Sequence, residues 1–305
     1  MEKRKRFRQL MARPGPLVVL GVYDCLSGLI AERAGYEAVI ITGAGIAASV
    51  KGYPDFGLMT MPEVLAQSQS IMRSIGIPAI ADCDTGYGNA LNVRRTTQEF
   101  EAAGAACIFI EDQVAPWRCG QFDGKQVISA SEMEMKIKAF LDVREDPDFA
   151  LMARTDALAT HGFEEAMTRC ERYVEAGAEL LMVSAPKDRE EMVRIMDRLG
   201  PLGAPVLINM VEGAKTPILS VDELASMGFK IISFSGSLQR SAIKAMQDFA
   251  AHFKEKGTVE GFYPERMVSN VVRSDILRLD DYYELEKQYA AEDAPPLLAA
   301  ASGSR

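Results

Sequence analysis

Short runs of apolar, often β-branched residues alternate along the chain with longer stretches whose apolar positions recur at helical spacing. The short runs fall at residues 17–23, 38–42, 79–82, 107–111, 149–154, 180–184, 206–209 and 231–234, and each reads as a strand. Strand-helix alternation with short connections implies a parallel sheet. Eight such units suit a closed (β/α)8 barrel of TIM type better than an open doubly wound sheet, which the pattern still admits. Ser131 with Glu134 resembles a capping box at a helix start. The segments Ala102-Ala103-Gly104-Ala105 and Glu175-Ala176-Gly177-Ala178 read as one helix-stop joint used twice.

After the eighth strand the pattern is helical alone, over 241–256 and again near 280–291. This predicts a barrel domain over 1–250, additional C-terminal helices over 251–292, and a flexible tail over 293–305 that is rich in Pro and Ala. Residues 257–279 include Gly261-Phe262-Tyr263-Pro264 and Arg266-Met267-Val268, too apolar for a free linker. They are expected to pack, with a neighbouring subunit as one candidate.

Composition narrows the function. The 305 residues are 48% hydrophobic and 25% charged, enough for a large core, and carry a net charge of −9. That charge argues against a nucleic-acid or anionic-membrane surface and leaves a small molecule as the expected ligand. No apolar stretch reaches the roughly eighteen residues of a membrane span, and no long apolar segment follows the basic run Lys3-Arg4-Lys5-Arg6. A cytoplasmic, soluble protein is expected. The five cysteines, Cys25, Cys83, Cys107, Cys119 and Cys170, show no disulfide framework or metal-ligand spacing. His161 and His252 lie away from strand ends, so histidine chemistry has little support.

The most informative junction is Asp82-Cys83-Asp84-Thr85-Gly86-Tyr87-Gly88, directly behind the apolar run 77–81. Alternate strand side chains share a face, so Asp82 and Asp84 can point together past the strand end. Paired carboxylates before a glycine-rich turn suit Mg²⁺, which takes oxygen ligands and keeps several waters. A helix cap with turn glycines explains the same residues equally well. In a barrel, however, chemistry gathers at the C-terminal strand ends. There the sequence puts Tyr23 and Asp24, Thr42 to Gly45, Asp82 and Asp84, Glu111 and Asp112, Arg154 and Asp156, Ser184, Asn209 with Glu212, and Ser233 with Ser235. So many carboxylates at one mouth repel one another unless a cation offsets them, and a divalent ion is the economical answer.

These motifs together resemble the isocitrate lyase and phosphoenolpyruvate mutase superfamily. The likeness runs from about Arg8 to Ala250. Its carriers are Arg13-Pro-Gly-Pro-Leu before Gly21-Val-Tyr-Asp, Ile41-Thr-Gly-Ala-Gly-Ile-Ala-Ala-Ser49, Gly52-Tyr-Pro-Asp55 and the Asp82–Gly88 segment. Ile110-Glu-Asp-Gln113, Ala153-Arg-Thr-Asp156 and Asn209-Met-Val-Glu-Gly-Ala-Lys-Thr-Pro217 complete the set. The chain is most similar to the branch containing methylisocitrate lyase, dimethylmalate lyase and carboxyphosphonoenolpyruvate mutase. The resemblance implies a (β/α)8 barrel, a homotetramer with exchanged C-terminal helices, and Mg²⁺, with Mn²⁺ as an alternative ion. It implies that Asp82 and Asp84 hold the metal, mainly through water, with Asp55 and Glu111 around it. Tyr23, Thr42, Gly43 and Ala44 match the segment that grips a substrate carboxylate, Tyr23 being also a candidate catalytic group. Arg154 matches the arginine on the substrate's carboxylate and oxygen, while Asn209 and Glu212 fall in a pocket segment.

The branch's lyases carry a proton-donating cysteine on a loop reading Lys-Lys/Arg-Cys-Gly-His. Here it reads Trp117-Arg118-Cys119-Gly120-Gln121, and Ser184 stands where those lyases have glutamate. Cys119 is the candidate acid, with Gly120, Gln121 and Ser184 as substrate contacts. Without a neighbouring lysine or histidine, Cys119 is expected to stay a thiol, which can still donate a proton. Trp117 is expected to bring apolar surface to the gate. The resemblance therefore implies Mg²⁺-dependent retro-aldol cleavage of a 2-hydroxy di- or tricarboxylate, a substituted malate or a methylisocitrate-like acid. Phosphoryl-transfer relatives usually lack a cysteine at this position, which weighs against a phosphonomutase. Loss of base candidates keeps open a decarboxylase or hydrolase of oxaloacetate-like acids, and a non-catalytic ligand-binding descendant.

Overall fold

The computed structural model describes residues 2–120 and 124–290. Eight parallel strands close on themselves in sequence order: β1 (Leu17–Val22), β2 (Val39–Ile41), β3 (Ala79–Asp82), β4 (Cys107–Glu111), β5 (Ala150–Thr155), β6 (Leu180–Val183), β7 (Val206–Asn209) and β8 (Ile231–Phe234). β8 pairs back onto β1, with Leu17 opposite Ile231 and Leu20 opposite Phe234, so no sheet edge is left open. The expected (β/α)8 barrel is the observed one, and the open sheet is excluded.

The period-two alternation within each strand separates two cores. One face carries Leu17, Val19, Ile40, Ile80, Phe109, Met152, Met182, Leu207 and Ile231 into one buried cluster, joined by Phe7 and Leu10 of the first helix, Glu2–Ala12. The other face carries Val22, Ile41, Ala81, Ile108, Ile110, Leu151, Leu181, Ile208 and Ile232 into a second cluster with the surrounding helices.

The repeated helix-stop joint is present. Gly104 and Gly177 have φ of 98° and 107°, and the following Ala105 and Ala178 amides reach back to the Phe100 and Tyr173 carbonyls at 3.1 and 2.9 Å. A left-handed residue with this long backward bond ends a helix and turns the chain into the next strand. The capping box is not where Ser131 and Glu134 put it. Helix Ala130–Val143 is capped by Ser129, whose side chain accepts from the Glu132 amide. Ser131 and Glu134 instead both hold Arg172, at 2.9 and 2.5 Å, because one helical turn brings them to the same outer face.

Residues Met1–Lys244 and Ala245–Arg305 form separate compact units. This boundary and the one expected after residue 250 both fall within helix Ser237–Lys256, which starts earlier than the predicted 241. In the second unit Phe262 is buried against Phe249 at 5.2 Å, so part of the apolar 257–279 segment packs locally. Val268, Val271, Tyr282 and Tyr289 remain well exposed. The tail from 293 lies outside the described residues. Among the described residues, no helix is long and apolar enough to cross a membrane.

Candidate active site

Strand register builds the site. Ile40, Phe109, Met182 and Leu207, on the barrel's inner face, form the floor of a cavity of about 160 Å³. The next inward positions along the inner-face strands are Thr42 after Ile40, Asp82 after Ile80, Glu111 after Phe109, Arg154 after Met152, Ser184 after Met182 and Asn209 after Leu207. Thr42, Asp82, Arg154, Ser184 and Asn209 line the cavity, together with Ala44, Asp55, Cys119 and Gly120. Its size suits a small organic acid.

The acidic groups converge. Asp82 accepts from the Gly43 amide at 3.2 Å and from the Asp84 amide at 3.0 Å. A Cβ placed on Gly43 would lie 3.2 Å from both Asp82 Oδ2 and Asp84 Oδ1, so the two carboxylates meet beside that glycine. Asp84 adopts φ of 49°, a sparsely populated conformation for a residue with a side chain. Burial, with help from Asp55 and against the pull of Arg154, pushes the Asp82 carboxyl up to about 6. Burial and then the neighbouring Asp82 and Glu111 raise Asp84 well above the carboxylate range, and burial likewise raises Glu111.

Arg154 lies among acids. Its Nη1 is 2.9 Å from Glu111 Oε2, and its Nε is 2.9 Å from Asp156 Oδ2, an ion pair without hydrogen-bond alignment. Nη2 donates to Asp156 Oδ1 at 3.2 Å and to Ser184 Oγ at 3.4 Å. Burial opposes its charge, but Asp156 and Glu111 outweigh burial and hold it protonated. Asp156 is placed from behind: Asp112 accepts from its amide at 2.9 Å and from Thr155, Tyr173 and Arg169.

The carboxylate set fits a divalent cation. Among the described residues, Glu111 Oε1 is buried without a hydrogen-bond partner, and the raised carboxyls are those a cation would relieve. Among the described residues, no three acidic, Cys or His side chains group tightly enough to hold a metal alone. Water and substrate oxygens would complete the shell, as Mg²⁺ prefers.

The loop after β4 brings the cysteine in. Gln113 grips Arg118 through both its amide ends, at 2.9 and 3.1 Å, and the Cys119 amide donates to the Asp55 carbonyl at 3.2 Å. The Cys119 thiol donates to the Asp55 carboxylate. A Cβ on Gly120 would press on Ser184 Oγ and Arg154 Nη2, so a side chain there would displace both. Trp117 is not on the cavity wall. It is buried in an edge-on contact with Tyr87, 6.1 Å between centroids, and its ring lies against Gly57.

Of the remaining expected residues, Asp84 and Glu111 are buried beside the cavity rather than on its surface. Tyr23 is half-buried outside the lining, because its ring packs beside Gly45, and Asp24 caps helix Cys25–Arg33. Glu212 is also off the lining and pairs with Arg240 at 2.7 Å. Gln121 lies outside the described residues. Arg240 and Gln239, which do line the cavity, and Lys125, which pairs with Asp156 at 2.8 Å, escaped sequence reasoning. Arg240 and Gln239 sit on the helix after β8, past the strand ends, and Lys125 sits in the loop beyond the cysteine motif.

Comparison with known proteins agrees with this geometry. A family profile described as phosphoenolpyruvate phosphomutase matches residues 7–254. Over 290 residues the chain is 40% identical to the 2,3-dimethylmalate lyase of Eubacterium barkeri, covering 95% of this chain and 99% of that protein. The solved structure of oxaloacetate acetylhydrolase with the inhibitor 3,3-difluorooxalacetate is similar with a TM-score of 0.89 at 31% identity, over 96% of this chain and 98% of that one. Phosphonopyruvate hydrolase, solved with oxalate and Mg²⁺, gives 0.86 at 27% identity, over 95% and 99%.

Proposed function

Since the chain belongs to the phosphoenolpyruvate mutase and isocitrate lyase superfamily, we propose that it is a Mg²⁺-dependent carbon–carbon lyase of a 2-hydroxy dicarboxylate. The observation carrying this reading is that Cys119, Asp82 and Arg154 line one small cavity. Asp82 and Asp84 would hold the ion, with Asp55 and Glu111 beside them. When bound, the ion would supply positive charge against the oxygen anion developing at the 2-position. Arg154 binds the substrate's 2-oxygen and adjacent carboxylate, while Thr42, Gly43, Ala44 and Asn209 hold the remaining oxygens. Arg240 faces the far carboxylate. The hydroxyl proton passes to a carboxylate of the acidic cluster, the carbon–carbon bond breaks, and the bond's electrons pass to the carbon next to the second carboxylate. Cys119 protonates that carbon. The contact between Asp55 and the thiol supports this assignment, because it holds the sulfur at the cavity. We also propose a homotetramer in which a neighbouring subunit covers the exposed Val268, Val271, Tyr282 and Tyr289.

Ser184 favours a second reading. A hydroxyl rather than a carboxylate beside Arg154, with the likeness to oxaloacetate acetylhydrolase, supports hydrolysis or decarboxylation of an oxaloacetate-like acid. A panel of 2-hydroxy and 2-oxo diacids with Mg²⁺, followed by mass spectrometry, separates the two. The lyase gives a 2-oxo acid and a second acid in equal amounts from a 2-hydroxy diacid; cleavage of oxo acids alone sinks it.

A further inference from the structure

We propose that Lys125 is a positioning residue for this reaction, fixing the Gly120 peptide next to Cys119 and sharing Asp156 with Arg154. The inference rests on the functional reading above. Lys125 is nearly sealed from solvent: its side chain is 2% exposed and that of Asp156 is 0%. Its Nζ donates to the Gly120 carbonyl and to Asp156 Oδ1 at 2.8 Å. That same Oδ1 accepts from Arg154 Nη2 at 3.2 Å.

Charge counting explains the arrangement. Arg154 pairs with both Glu111 and Asp156, and Lys125 is the second cation on Asp156. Taking Lys125 away leaves Asp156 with Arg154 as its partner in this set, drawing the guanidinium down and away from substrate, and leaves the Gly120 carbonyl without this donor. Gly120 packs where a side chain would strike both Ser184 and Arg154, so movement of its peptide alters the acid's position and the arginine's surroundings together. A buried ammonium is costly unless paired. Here the pairing joins the cysteine loop to the end of β5.

Calorimetric titration of oxalate in the presence of Mg²⁺ tests this on the full chain, since oxalate is a small dianion that needs no turnover. Lys125→Met should weaken oxalate binding roughly tenfold or more, the usual scale for a supporting partner behind a ligand-binding group. Lys125→Arg should retain most of the affinity. Lys125→Met combined with Asp156→Asn restores charge balance and should recover part of what the single change loses, an outcome that a merely structural lysine would not give. Wild-type binding by Lys125→Met overturns the proposal, as does a double variant that binds no better than the single. If Lys125→Met does not fold, Lys125→Gln, which keeps a donor for Gly120 without the charge, takes its place with the same expectation of loss. Failure of the unaltered protein to bind oxalate with Mg²⁺ would instead remove the reading of the site itself.

Discussion

In the proposed mechanism the neighbours Cys119 and Gly120 have different tasks. Cys119 supplies a thiol, and its replacement by Ser should cost at least about a hundredfold in turnover, since a positioned proton donor is worth roughly 10²–10⁴. A variant that turns over at the wild-type rate would fit decarboxylation without this acid. Gly120 supplies closeness. A methyl group there would displace Ser184 Oγ and Arg154 Nη2, so Gly120→Ala should weaken oxalate binding while leaving the thermal transition nearly unchanged. Normal oxalate binding would mean that the loop does not pack on Arg154. The chemical identity of these residues was legible in the sequence, but their partners were not. Trp117 looked like a gate residue because the motif puts it beside Cys119, yet its ring turns to Tyr87 and Gly57. Side-chain direction in a loop follows tertiary packing, which spacing does not record.

Strands were more readable than loops or helix ends. Asp82, Arg154 and Asn209 are reached by stepping two residues from Ile80, Met152 and Leu207, so the apolar pattern that located β3, β5 and β7 also located the site. Lys125 and Arg240 have no such periodic marker. Helix starts were ambiguous where several hydroxyl and acidic residues cluster, as at Ser129-Ala130-Ser131-Glu132-Met133-Glu134. The structure makes Ser129 the cap, so Ser129→Ala should lower stability by about 1 kcal/mol. Ser131→Ala loses a bond to a partly exposed Arg172 and should cost less. Paired urea denaturation curves with equal losses would contradict this assignment.

The whole molecule sets the site's electrostatics, because the closed barrel buries several carboxylates in one place. The Asp82 carboxyl, pushed up to about 6 by burial, holds its proton more tightly in the folded metal-free protein than in the unfolded chain, where the value is about 3.9. Its contribution therefore becomes less favourable as pH rises from about 4 through about 6. Mg²⁺ takes the ionised form, so the rise in melting temperature on adding Mg²⁺ should be larger at about pH 7.5 than at about pH 5. Equal shifts at both values would remove Asp82 from the ion's surroundings. The eight-stranded order was legible across the chain, whereas the partners of residues 245–290 are not written in any local pattern. Light scattering addresses that assembly: a tetramer of the 33.4 kDa chain is expected, and a monomer would leave Val271 and Tyr289 uncovered. The most direct test of the account is the isotopic composition of products formed from a cleaved 2-hydroxy diacid in D₂O with Mg²⁺. Retro-aldol cleavage ending at Cys119 predicts equal amounts of a 2-oxo acid and a second acid carrying one deuterium at the carbon released by the break. Carbon dioxide release with the label in the oxo acid, or no cleavage of any 2-hydroxy diacid, would contradict it.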